Sequence, residues 1–332
     1  MSMNLRNKKV ITTGAGGFIG SHLVERLVPL ASHVRAFVHY NSRNDWGCLE
    51  ELPPRIKSEV EVISGDIQDS ITVRRALMGC DVVFHLAAVI AIPYSYLAPE
   101  VFINTNVKGT FNVMQASLDA GLEKVVHTST SEIYGTGIYV PIDENHPLQG
   151  QSPYSASKIG ADKVAESYYR SFELPVATIR PFNTFGPRQS ARAIVPTIIT
   201  QIITKEDEIQ LGLLTPVRDI CYVDDVVDGF IRVAQSERSV GEVINVGSGS
   251  GISVGDLAKR IMEVMGKHLR IASDVSRLRP EGSEVMRLIC DYSKAKELVG
   301  WEPKVTLEEG LGRTIYYIRE NIHRYKADLY TI

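Results

Sequence analysis

A chain of 332 residues with a formal charge of −3, 44% apolar and 23% charged residues has the make-up of an ordinary globular protein, long enough for one large α/β unit or for a cofactor domain with a smaller cap. Both signs of charge are mixed along the chain with no basic stripe, which argues against nucleic acid or an anionic membrane as partner and leaves small anions to local sites. Cys48, Cys80, Cys221 and Cys290 are scattered, without a CxxC pair or a histidine cluster of metal-ligand spacing, a pattern that reads as reduced thiols, no metal and a cytoplasmic setting.

Lys9 to Thr13 reads as a buried strand, followed by a glycine-rich turn and an amphipathic helix from about Gly20 to Leu30. His33 to His39, Val60 to Ser64, Asp81 to His85, Lys124 to Ser129 and Val176 to Arg180 repeat short β-branched runs between helical segments. Strands alternating with helices indicate a parallel, doubly wound sheet. The longest apolar stretch, Val82 to Ile92, is broken by His85 and falls short of the roughly 20 apolar residues that span a bilayer. No apolar leader precedes the first strand pattern, so no export is expected.

After Pro181 the pattern loosens, with Pro187, Pro196 and Pro216 as punctuation. Arg218 to Val223 and Glu242 to Val246 read as strands, the second expected to return to the main sheet. The expected fold is α/β, a Rossmann-like doubly wound parallel sheet with a smaller mixed α/β C-terminal cap that binds substrate. Its cofactor domain takes residues 1–185, completed by 217–248; the cap falls within 186–332, mainly 186–216 and 249–332. No internal repeat or low-complexity segment is present.

Gly14, Gly17 and Gly20 form GxxGxxG within TGAGGFIG, after a strand and before a helix. Small residues let the backbone approach a pyrophosphate, and the helix start offers free N–H groups and a positive dipole end; the alternative is a plain tight turn. NAD-preferring enzymes usually end the second strand with an acid that accepts a bond from the ribose 2′-hydroxyl. Here it ends His39, Tyr40, Asn41, Ser42, Arg43, so His39, Ser42 and Arg43 are read as binding a 2′-phosphate, Arg43 being equally a solvated loop cation, with NADP expected and NAD the alternative. Asp66, after the third strand, is read either as an acceptor for the adenine amino group or as an N-cap or turn residue.

Thr130, Ser131 and Glu132 stand in TSTSEIYG, shortly before SPYSASK, in which Tyr154 and Lys158 are four residues apart. On a helix both side chains project from one face. A Lys ammonium beside the phenol, with a cationic nicotinamide, favours phenolate and prepares a base for hydride chemistry at a hydroxyl. In isolation such a pair is usually a surface pair, and Ser131 and Glu132 read equally as a capped loop end.

With these motifs in place, the chain resembles an extended short-chain dehydrogenase/reductase that acts on nucleotide sugars. TGAGGFIG, HLAA at His85 to Ala88, TNVKGT at Thr105 to Thr110, TSTSE, YSASK, RPFNTFGPR at Arg180 to Arg188, RDICYVDD at Arg218 to Asp225 and the RP at Arg279 occur in family order over nearly the whole length. The resemblance implies that Phe18, Ile19, Ile67, Leu86, Ala87 and Ala88 join the glycines at the cofactor. It implies that Thr130 hydrogen-bonds the sugar carbon-4 hydroxyl, Tyr154 removes its proton, and Lys158 also holds the nicotinamide ribose. The 4-keto group then acidifies carbon 5, where Glu132 takes the proton. Many relatives carry Asp where Ser131 stands, and a serine hydroxyl is too weak an acid to release water directly.

The resemblance further implies that Asn183, Arg188, Arg218 and Arg279 grip the diphosphate and base, each arginine being a surface ion pair if taken alone. Tyr94, in the VIAIPYSY loop, is expected over the sugar. The finer likeness is to UDP- or GDP-N-acetylglucosamine 4,6-dehydratases of bacterial nonulosonic (legionaminic and pseudaminic) acid pathways, with UDP-N-acetylglucosamine the first expectation. Alternatives are a 4-epimerase, a UDP-glucuronate-type decarboxylase, a dehydratase releasing a 5,6-ene, and an enzymatically idle NAD(P)-sensing regulator. Decarboxylation calls for a cation facing the sugar carboxylate, and none stands beside Lys158, where Ile159 follows. Helices Asn104 to Ala120 and Tyr154 to Phe172 carry long apolar faces, which the resemblance implies pack against their copies as the four-helix bundle of a homodimer, burial within one chain being the alternative.

Overall fold

The computed structural model describes residues 3–326 and Leu329. Strands β1 (Lys9–Thr13), β2 (His33–His39), β3 (Val60–Gly65), β4 (Val82–His85), β5 (Lys124–Thr128) and β6 (Val176–Pro181) follow the β-branched runs read from the sequence to within a residue or two. Further strands are β7 (Asn183–Phe185), β8 (Glu208–Leu211), β9 (Val217–Tyr222), β10 (Val243–Val246), β11 (Gly251–Ser253), β12 (Arg270–Ser273) and β13 (Arg287–Leu288). The main sheet has seven parallel strands in the order β3-β2-β1-β4-β5-β6-β10. This is the expected doubly wound α/β architecture.

Successive strand residues serve opposite faces. Val10, Ala36, Phe84 and Val126 pack into one core with the helices Phe18–Leu27 and Val223–Gln235. Their neighbours Ile11, Phe37, Val83 and Val125 pack into the other, with the helices Ser70–Leu77, Gly109–Asp119 and Pro153–Phe172. The chain reverses its direction of winding between β1 and β4, so the crevice beyond their carboxyl ends is where such a sheet binds ligands.

The second half differs from the expectation in one strand. β9 leaves the main sheet for a four-stranded one with β7, β11 and β13, while β8 pairs with β12. Among the described residues, the helix Val223–Gln235 and β10 return to the cofactor side. We therefore propose a cofactor unit of residues 3–182 completed by 223–246, and a cap formed by the other described residues, β7 included; 1, 2, 327, 328 and 330–332 lie outside the described residues.

Two helices depart from simple periodicity. The Asn104 to Ala120 run is a π-helical turn, Ile103–Lys108, leading into the α-helix Gly109–Asp119. The wide turn presents the buried Asn106 side chain, which accepts from Val89 N at 2.9 Å and donates to Val89 O at 3.0 Å and Ser157 Oγ at 2.9 Å; such inserted turns gather at functional sites. Pro153–Phe172 starts on a reciprocal cap between Ser152 and Ser155, which satisfies orphan N–H groups of its first turn. No helix among the described residues is long and apolar enough to cross a membrane.

Candidate active site

A cavity of about 1450 Å³ runs along the carboxyl edge of the main sheet and under the cap. At one end the turn after β1 requires glycine. Gly14 has φ of 69°, and a Cβ there would lie 2.7 Å from Ala87 N; a Cβ on Gly20 would overlap the Gly14 carbonyl oxygen. Gly17 caps the Phe18–Leu27 helix without a side-chain bond, so its first N–H groups stay open to an anion. Gly14, Gly17, Phe18, Ile19, Gly20, His39, Asp66, Ile67, Leu86, Ala87 and Ala88 all line this end.

Ser42 and Arg43 do not. Asn41 Oδ1 accepts from the backbone of Arg43 and Asp45, each at 3.1 Å, folding the loop so that Asn41, Asp45 and Trp46 form the wall instead. An acid absent from the strand end itself thus arrives from the following loop. Asp66 accepts from Gln68 N at 2.9 Å as a turn residue. The helix Ser70–Leu77 is capped by Asp69, which accepts from Ile71 N and Thr72 N.

At the other end Thr128, Ser129, Thr130, Ser131 and Glu132 leave β5 and meet Tyr154 and Lys158 across the cavity. Thr130 caps the turn Ser131–Tyr134, accepting from Glu132 N at 3.3 Å. Ser131 and Glu132 are buried, and the Glu132 carboxylate makes no hydrogen bond or ion pair of its own among the described residues. Burial raises the Tyr154 phenol well above its usual value; a bond with Thr130 pulls it down, Glu132 and Asp162 push it up, and Arg192 pulls it down. Lys158 Nζ donates to Thr128 O at 2.6 Å. Burial lowers this amine to about 8, against the opposing charge of Asp162. The protein alone does not deliver the lowered phenol expected from the Tyr/Lys pair, because desolvation dominates and the lysine is turned onto a carbonyl.

Beneath these groups lies a buried polar chain that the motif reading passed over. Asp162 accepts from Ser129 Oγ at 2.7 Å, from His127 Nε2 at 3.0 Å and from Arg180 Nη2 at 3.1 Å. Arg180 Nη1 donates to Tyr134 Oη at 2.8 Å, and Tyr134 to Asn245 Oδ1 at 2.8 Å. Helical spacing held the signal, since Asp162 stands four residues after Lys158.

At the substrate end Arg218 Nη2 lies 3.2 Å and Arg279 Nη1 3.7 Å from Glu284 Oε1. Burial lowers Arg218 from its ordinary value; Glu132 opposes this, Arg279 adds to it, and Glu284 opposes it again. Asn183 Oδ1 and Arg279 Nη1 are buried without hydrogen-bond partners on the cavity wall, as atoms awaiting a polar ligand would be. Arg188 is placed differently from expectation. Its left-handed backbone (φ 68°) turns the guanidinium onto Glu25 Oε2 at 2.7 Å and onto the ring of His22, so it braces the cofactor helix even though it borders the cavity. Tyr94 is also displaced: VIAIPYSY forms the helix Ile92–Leu97, which puts Tyr94 against Phe102 and off the cavity lining. Tyr96 lines it instead, its hydroxyl 2.6 Å from Ser283 Oγ. Arg192, also on the lining, carries the cation that the sequence lacks beside Lys158.

A parallel sheet with a glycine turn ahead of its first helix, a Tyr/Lys helix and one cavity running from that turn to beneath the cap is the arrangement of the extended short-chain dehydrogenase/reductase type. Residues 11–314 match the model of the GDP-mannose 4,6 dehydratase family, and the chain belongs to that family. It is 31% identical over 325 residues to the dTDP-D-glucose 4,6-dehydratase of Mus musculus, covering 96% of this chain and 91% of the relative. Among solved structures, DesIV, a dTDP-glucose 4,6-dehydratase from Streptomyces venezuelae with NAD bound, superposes with TM-score 0.84 at 30% identity, covering 96% of this chain and 99% of that one. The UDP-glucuronic acid 4-epimerase of Bacillus cereus, in complex with UDP-glucuronic acid and NAD, gives 0.85 at 28% identity, covering 94% and 99%.

Proposed function

We propose that this chain is an NAD-dependent nucleotide-sugar 4,6-dehydratase acting on a UDP- or GDP-linked N-acetylhexosamine, with UDP-N-acetylglucosamine the first choice. The observation that carries the reading is Glu132: a buried carboxylate, unbonded, on the same cavity wall as Thr130 and facing Tyr154. A 4-epimerase needs no such base, whereas elimination across carbons 5 and 6 does. The glycine turn leaves room for a pyrophosphate, and Asp66 and Lys158 line opposite ends of the same cavity, where they would meet the adenine and the nicotinamide ribose. When bound, the nicotinamide supplies a reversible hydride acceptor and a positive charge that favours the Tyr154 phenolate.

In this mechanism Thr130 and Tyr154 hold the carbon-4 hydroxyl and Tyr154 takes its proton as hydride leaves. Glu132 then removes the carbon-5 proton and returns it to the departing carbon-6 oxygen, a task beyond the Ser131 hydroxyl; carbon 6 of the resulting 4-keto-5,6-ene would take the hydride back as carbon 5 takes a solvent-derived proton, which leaves the cofactor oxidised and the sugar a 4-keto-6-deoxy product. Arg218 and Arg279 hold the diphosphate once it displaces Glu284 as their shared partner. NAD rather than NADP is supported by Asp45 in the cavity wall, where it would repel a 2′-phosphate, by the exclusion of Arg43, and by the NAD bound in DesIV and the B. cereus epimerase.

A second reading, 4-epimerisation or decarboxylation of a sugar bearing a carboxylate, is favoured by one observation, the Arg192 cation on the cavity lining near Tyr154. The mass of the product separates the two: loss of one water supports dehydration, loss of carbon dioxide or an unchanged mass the alternatives. We also propose a homodimer through the helices Gly109–Asp119 and Pro153–Phe172, which leave Phe111, Tyr169 and Phe172 exposed; sedimentation at the mass of a single chain would reject it.

A further inference from the structure

Tyr154, Lys158 and Asp162 follow one another at four-residue steps on the Pro153–Phe172 helix, so all three lie along one face of it. Tyr154 is the base candidate, Lys158 the amine, and Asp162 a buried carboxylate behind the cavity lining that the other two share. Asp162 is held from three directions: by His127 from β5, by Ser129 just beyond that strand, and by Arg180 from β6. Burial alone would raise it, but the hydrogen bond from His127 and the charges of Arg180 and Lys158 keep it well below the usual carboxylate range. A carboxylate fixed as an anion beneath a desolvated amine has a chemical consequence.

The other groups facing Lys158 do not supply that charge. His85 on β4 and His127 are both pushed down by burial and so are neutral. Tyr154, on the lysine's own helix, is held as neutral phenol. Glu132 acts on Tyr154 but not on Lys158, and Arg180 is paired to Asp162 itself. The Thr128 carbonyl that accepts from Nζ is a dipole and not a charge.

We propose that Asp162 is a positioning residue for the hydride chemistry argued above: its caged carboxylate is the counter-charge that keeps the Lys158 ammonium protonated and seated on Thr128, and so sets the upper pH limit of carbon-4 oxidation. Removing the carboxylate leaves the desolvation of Lys158 unopposed, so the amine gives up its proton at lower pH.

The test is the titration of Lys158 in full-length protein labelled with 13C at lysine Cε, the Lys158 signal being the one missing from Lys158→Met. Asp162→Asn lowers the midpoint by about one pH unit or more, which would cut cofactor reduction roughly tenfold for each unit above the new midpoint. Ser129→Ala, which removes one bond to Asp162 but keeps its charge, leaves the midpoint in place, as a merely structural role would not. Where Asp162→Asn alone leaves Arg180 a buried unpaired cation and does not fold, Asp162→Asn/Arg180→Gln removes both charges and carries the same expectation. A Lys158 midpoint unmoved in the folded variant, or moved equally by Ser129→Ala, overturns the proposal. The titration needs no turnover: a wild type that never reduces its cofactor with nucleotide sugars contradicts the proposed reaction, while the lysine shift still decides the role of Asp162.

Discussion

Glu132→Gln separates the two halves of the proposed chemistry. The side chain is buried, its carboxylate makes no hydrogen bond or ion pair among the described residues, and glutamine has nearly the same shape, so folding stability should change by no more than about 0.5 kcal/mol. Loss of a positioned base costs about 10²–10⁴-fold, or roughly 3–5 kcal/mol in the barrier to elimination. Oxidation at carbon 4 responds in the opposite sense. Glu132 is one of the charges raising the Tyr154 phenol; neutralising it lowers that phenol, so the acid limb of oxidation moves to lower pH. Stopped-flow absorbance of the reduced nicotinamide, read beside product mass, should show reduced cofactor accumulating to a stable plateau with almost no dehydrated sugar. Dehydration at wild-type rate would refute the assignment of Glu132, and joint loss of oxidation and elimination in a natively folded variant would refute the division of labour.

Four further outcomes follow from the same geometry. Gly20→Ala, whose Cβ would overlap the Gly14 carbonyl, should abolish NAD binding by calorimetry; unchanged affinity would remove the glycine turn from the pyrophosphate site. Asp45→Arg should raise kcat/KM with NADP relative to NAD by about tenfold or more, and no change in the ratio would take Asp45 out of cofactor choice. Arg218→Ala and Arg279→Ala should each weaken nucleoside diphosphate binding about tenfold or more, whereas Arg188→Ala should mainly lower Tm because its guanidinium is spent on Glu25 and His22; the reverse pattern would reassign the diphosphate grip. His22 is pushed down to about 3, chiefly by burial with Arg188 adding to it, and burial also lowers His85 and His127. Each folded-state value lies below the unfolded 6.5, so the unfolded chain binds more protons as pH falls, and stability should drop by up to ~1.4 kcal/mol per histidine per pH unit below 6.5. Urea midpoints that stay flat from pH 6.5 to 5.5 would contradict this.

The sheet was legible because its strands are β-branched runs buried on both faces, a pattern that depends on local sequence. The destination of Val217–Tyr222 was not, since a strand does not encode which edge it joins; here β7, β11 and β13 claim it. The π-turn escaped periodicity because it is held by Asn106 reaching to Val89 and Ser157. At the site, the glycines, Thr130, Glu132, Tyr154 and Lys158 could be placed together because each occupies a fixed offset from a strand end or along a helix. Arg43 and Asp45 exchanged places because one side chain, Asn41, folds their loop. Tyr94 gave way to Tyr96 where a helix stands in place of a loop, and Arg188 turned aside on a left-handed backbone. Asp162 was within reach of the same four-residue spacing that marks Lys158.

The most direct test of the dehydratase reading is mass spectrometry of nucleotide sugars after incubation with the purified protein and NAD in deuterated water, beginning with UDP-N-acetylglucosamine and its GDP counterpart. The account predicts a product lighter by one water that carries solvent deuterium at carbon 5. A product of unchanged mass with inverted carbon 4, or one that has lost carbon dioxide from UDP-glucuronate, would contradict it.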